Sequence, residues 1–207
     1  MPPRIPPECQ EIVICALAPR MVLKGSDPKI ISPASVVAKF KNHTFDGGVE
    51  AETLSTGRCD LLDSLPKVHD FGCRVASAAT MIKQAQRPDR PLKRPKETTH
   101  YCGSYWIDVA AVMGLDTGPY AVGIFATPMK PDLEEHCDIA LVAKGEAPAA
   151  GHDKDALLTE IIAELRLCLR DPKPHICECD KDLADFLGGI RLLGPGPETA
   201  PPALTQA

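Results

Sequence analysis

The chain has 207 residues, 44% of them hydrophobic and 25% charged, which is globular usage and excludes a disordered or fibrous protein. Aromatic residues make up only 4%, so the core has to be mainly aliphatic, and the 21 prolines predict many irregular loops. Lys and Arg number 23 against 28 Asp and Glu, a net charge of −5, which argues against a surface tuned as a whole to nucleic acid or anionic lipid.

Residues 1–9 and 194–207 each carry four prolines and are expected to be disordered extensions framing one domain over 10–193. Ile12 to Ala18 is an apolar run preceded by Glu8 and Glu11. The acidic flank and the short run disfavour an export signal and predict a buried strand over 11–18. Ser32-Pro33 offers an N-cap with proline at the first helical position, so a short helix is expected over 33–41. After the Gly47-Gly48 turn, residues 49–55 alternate weakly. Val75, Ala78, Ala79 and Ile82 share one helical face and predict a helix over 74–86.

Residues 87–96 hold five basic side chains and three prolines, which reads as a solvated connector. Three strand-like runs follow, 105–112, 120–127 and 138–143, separated by Gly, Asp and Pro. Leu158, Ile161, Ile162, Leu165, Cys168 and Leu169 recur at spacings of three and four and predict a helix over 155–170 that Pro172 stops. A last helix is expected at about 180–187, before Gly188-Gly189. The sum is an α+β domain, a mixed sheet packed by two main helices.

Nine cysteines, an odd number with two inside apolar runs, fit a reducing, cytoplasmic setting better than a disulfide scaffold. Two groups of residues could carry chemistry. His175, Cys177 and Cys179, with His136 or Cys137, are the residue types that Zn²⁺ prefers, although no Cys-x2-Cys pair supports them. Cys73, following Gly72 at the expected start of the helix from Arg74, would meet free backbone N–H groups that lower a thiol pKa, and His100 could act as its base. No phosphate-binding loop, dinucleotide fingerprint, zincin helix or nucleophile elbow is present.

The sequence is accordingly read first as a non-catalytic intracellular protein acting through a protein partner, with a Cys/His zinc site as an option. The alternative is a cysteine-dependent hydrolase or transferase using Cys73 and His100. No membrane association is expected. Nucleic acid is disfavoured because the basic segment 87–96 has no interleaved aromatic residues for stacking on bases.

Overall fold

A computed structural model describes residues 1–26, 29–93, 96–129, 132–145, 152–170, 172–175 and 189–194. The strands are β1 (Glu11–Ala18), β2 (Ile30–Ile31), β3 (Lys41–Phe45), β4 (Val49–Arg58), β5 (His100–Asp108), β6 (Tyr120–Ala126), β7 (His136–Ala143), β8 (Lys173–Pro174) and β9 (Arg191–Leu192). The helices are α1 (Pro33–Val37), α2 (Leu65–Ala85), α3 (Val109–Met113) and α4 (His152–Leu167). The main sheet has the order β6-β7-β4-β1-β5-β8, with β3 joined to β4. All its pairings are antiparallel, and the parallel pairing occurs between β2 and β9. The fold class is α+β, as the sequence predicts.

β1 is central and buried from Ile12 to Ala18, because both faces of the sheet are covered. A strand covered on both sides needs a continuous apolar run rather than alternation. On one face Phe71, Val68 and Ala76 of α2 close over the sheet. On the other lie Leu165 of α4 with Leu169 just beyond it, Val36 and Val37 of α1, and the β2–β9 ribbon. Tyr105 ties that ribbon down by donating its hydroxyl to Leu193 O at 2.9 Å and Ile31 O at 3.2 Å.

Several boundaries differ from the sequence reading for physical reasons. α1 is capped as expected, with Ser32 Oγ accepting from Ser35 N at 3.2 Å and Ser35 Oγ accepting from Ser32 N at 3.1 Å, but it ends at Val37. α2 begins at Leu65, nine residues before Arg74, with Pro66 in its first turn. Its Gly72 is a packing residue and not a break: a Cβ there would lie 2.3 Å from the Tyr101 ring. The run expected as a strand over 105–112 is instead the end of β5 and the start of α3, and Val109 N donates to Gln10 O at 2.8 Å where they meet. α4 ends at Leu167, after which Arg170 N donates to Trp106 O at 2.8 Å and the chain lies along β5.

The proline-rich residues before β1 lie along the outer edge of β6. Ala126 N donates to Pro3 O at 2.8 Å, Ile5 N donates to Ile124 O at 3.1 Å, and Cys9 is buried in the core. Prolines are compatible with this outer edge because a sheet edge asks nothing of the outward N–H. The expected helix at 180–187 and most of the tail 194–207 lie outside the described residues. Among the described residues no helix is long and apolar enough to cross a membrane.

Candidate functional site

The inner strand β4 changes partner part-way along one of its edges. Residues Val49–Thr53 pair with β3, and Gly57–Arg58 pair with β1 through Val13 and Ile12. Between them, residues 54–56 pair with neither on that edge, while the opposite edge stays zipped to β7 from Ala51 to Gly57. The β1–β4 register, continued, would set Cys15 against Ser55 and Leu17 against Thr53. It does not continue: Leu17 N is directed at Met21 Sδ at 3.2 Å, and Met21 N donates to Leu17 O at 2.9 Å, so the chain turns away after β1. Ser55 is therefore exposed in the middle of an inner strand.

The opening is the mouth of a cavity of about 150 Å³. Its walls are apolar: Ile14, Leu17 and Met21 from β1 and the turn after it, Leu54 from β4, Phe71, Val75, Ala78, Ala79 and Ile82 from α2, and Met129 and Leu133 from the loop before β7. Polar groups are few. Thr56 Oγ1 is engaged by Cys137 O at 3.0 Å and Thr53 Oγ1 by Lys41 O at 3.3 Å. Cys15, Ser55, His136, Arg20, Lys39 and Lys41 complete the lining.

His136 is 4% exposed and its ring is fixed by neighbours. Its Nδ1 lies 2.8 Å from Thr127 O, and a carbonyl only accepts, so Nδ1 carries the proton. Thr127 Oγ1, 3.0 Å from the same Nδ1, passes its own proton toward Asp138 Oδ2 at 2.7 Å. The relay holds the ring and sits behind a wall of the cavity.

Arg20 and Lys41 are exposed and Lys39 is half-buried, so the cationic groups stand at the solvent end. All three are pushed below their ordinary pKa values, first by partial burial and, for both lysines, next by the like charge of Arg20. Asp138 acts in the opposite sense on Lys41.

The residues singled out from the sequence fall in different elements. Cys73 lies in the third turn of α2, away from the helix N-terminus, so the premise of a dipole-lowered thiol is overturned. Burial, and then the charge of Asp70, raise its pKa from the ordinary value of 9.0. His100 is buried at the start of β5 with Nε2 2.8 Å from Thr98 Oγ1. Cys137 is buried with Sγ 3.0 Å from Thr56 Oγ1, and burial drives its thiol pKa upward. His136 and His175 are separated by β4, β1 and β5 in the sheet, a span of about 19 Å at the usual strand spacing, which is too wide for one metal ion. His175 instead has its ring centroid 4.0 Å from that of His69. Cys177 and Cys179 lie outside the described residues. Among the described residues no group of three or more His, Cys, Asp or Glu is placed to hold a metal ion.

The basic segment after α2 folds back on that helix. Gln84 Nε2 donates to Arg87 O and Arg90 O at 2.9 and 3.2 Å, Gln84 Oε1 accepts from Leu92 N at 2.9 Å, and Arg90 pairs with Glu97 at 2.7 Å. No protein-family model, no curated protein and no solved structure matches the chain. The cavity, with its apolar walls and few unengaged polar groups, is thus the feature with the chemistry of a binding site.

Proposed function

We propose that the protein is a non-catalytic binding protein of the cell interior, whose cavity between β1 and β4 encloses the apolar body of a small molecule. The observation that carries this reading is the partner exchange along β4. Backbone groups of an inner strand are otherwise zipped, and an interruption that exposes Ser55 beside apolar walls costs stability unless something else fills the space. An apolar cavity of this size accommodates a six-membered aromatic ring. The seven free thiols among the described residues fit a reducing compartment. A protein partner, the other element of the sequence reading, would take the loaded form.

Toluene titrated into ¹⁵N-labelled protein tests the reading. The amide signals of Ser55, Phe71 and Leu54 should move together and saturate, and Ala79→Phe, which places a ring in the same space, should abolish the shifts. Shifts confined to other surfaces, or none at millimolar toluene, would remove the cavity as a binding site.

A further inference from the structure

Three cations share the cavity mouth. Acids outnumber Lys and Arg by 28 to 23, and several cations elsewhere pair with them: Arg58 with Asp60 at 2.5 Å, Arg74 with Glu135 at 2.8 Å, and Lys154 with Glu52 at 2.6 Å. Among the described residues Arg20, Lys39 and Lys41 form no such pair, although all three line one cavity and Arg20 acts on both lysines. The acid that does act on Lys41, Asp138, is 8% exposed and already accepts the Thr127 hydroxyl at 2.7 Å. Like charges held together without counter-charge are unfavourable, and an anion arriving among them relieves that cost.

The segments that deliver these side chains also make the opening. Arg20 sits in the turn that takes β1 away from β4. Lys39 lies in the link between α1 and β3, and Lys41 is the first residue of β3, the strand that replaces β1 on the edge of β4. The partner exchange therefore opens an apolar space and rims it with positive charge in one step.

Resting on the cavity being a binding site, we propose that its ligand is a small apolar carboxylate. The body, of about six carbons, fills the space against Phe71 and Leu54. The carboxylate stays at the mouth among Arg20, Lys39 and Lys41. A neutral molecule of the same shape fills the walls but leaves the rim unanswered, and an amine meets repulsion there.

The test compares hexanoate, 1-hexanol and hexylamine by the same amide shifts in low-salt buffer. Hydrogen bonds to charged groups exceed neutral ones enough that hexanoate should bind about tenfold or more tightly than 1-hexanol, and hexylamine more weakly than either. The advantage of hexanoate should shrink between about 0.01 and 0.3 M salt, because the screening length falls severalfold over that range. In the R20Q/K39Q/K41Q variant hexanoate should fall to the level of 1-hexanol. Equal binding of hexanoate and 1-hexanol, or an advantage that persists at high salt or in the variant, would overturn the carboxylate proposal while leaving the cavity as a binding site. Failure of all three ligands and of toluene would take the cavity reading down first. The salt dependence is read on the unaltered protein, so the conclusion does not hang on the folding of the variant.

Discussion

The two edges of β1 make opposite use of one strand. Toward β5 it pairs from Glu11 with Asp108 to Ala18 with His100, with a single register shift after Ala16. Toward β4 it pairs at two positions and then leaves. Both edges carry the same apolar residues, so composition does not separate them. What separates them is the neighbour: β5 stays alongside for its whole length, while β4 is taken over by β3. A cavity arises where the sheet fails to close, with walls that are mainly apolar.

Substitutions that remove buried carbon should make the contrast quantitative. Ile107 on the closed side is fully buried, and Leu165 of α4 is 1% exposed. Ile107→Ala and Leu165→Ala should each cost about 2–5 kcal/mol in urea denaturation. Ile82, which lines the open cavity and is 52% exposed, should lose less than about 1 kcal/mol when cut to Ala, because its removal leaves no enclosed void. Similar losses at all three positions would mean that the open edge is as tightly packed as the closed one.

A smaller effect probes the helix that covers both edges. Gly72 gives way to the Tyr101 ring of β5, and Gly72→Ala should cost about 1–3 kcal/mol despite the higher helix propensity of alanine. Tyr101→Leu in the same chain should recover part of that loss, which urea melts of the single and double variants would show. A neutral Gly72→Ala would mean that α2 stands off β5 and that the closed side is not closed.

Hydrogen exchange reports the two edges amide by amide. By strand alternation Ile14 directs its N–H to β5 and Cys15 directs its own to the gap. Cys15 and Ser55 should exchange markedly faster than Ile14 and Tyr105. Equal protection would show that water does not reach the gap, and adding toluene should narrow any difference.

What the sequence disclosed follows from how local each signal is. The apolar run of β1 and the stripe of α4 mark their elements because burial writes itself into consecutive residues. Gly72 misled because a glycine inside a helix resembles a boundary, and its cause, Tyr101, is 29 positions away. The cavity was not legible for a stronger form of the same reason. Ser55 is exposed only because β1 and β3 divide the edge of β4, and nothing near Ser55 encodes that division. Arg20, Lys39 and Lys41 read as scattered surface charges until the fold gathers them. Cys73 drew notice through a helix start expected at Arg74, and the true start lies nine residues earlier.

That correction has a chemical consequence at Cys73. With its pKa raised by burial and by Asp70, less of the thiol is ionised at pH 7 than in an ordinary cysteine. Limiting iodoacetamide with peptide mapping should find Cys73 slower than a cysteine in an unfolded peptide, and faster only as the pH climbs past about 9. Rapid labelling at neutral pH would restore the cysteine-enzyme reading with His100.

The smallest expected effect lies at a flaw on the closed side. His69 of α2 clusters with Tyr101 and His175, with ring centroids 6.1 and 4.0 Å away and 5.4 Å between those two, and its Nε2 is buried without a hydrogen-bond partner. Burial, and then the like charge of His175, lower its pKa from 6.5. The unfolded chain therefore takes up a proton here at a higher pH than the folded chain does. The stability involved is fully present above about pH 6.5 and is lost as the pH falls through the interval down to the folded value. His69→Phe keeps the ring and discards both the unpartnered nitrogen and the proton uptake. It should be neutral or slightly stabilising at pH 7.5, and its stability should decline less than that of the parent between pH 7 and 5, by a difference of less than about 1 kcal/mol. Parallel declines in urea melts across that range would mean that His69 titrates as it does in the unfolded chain, and the closed side would then be open to water at this point as well.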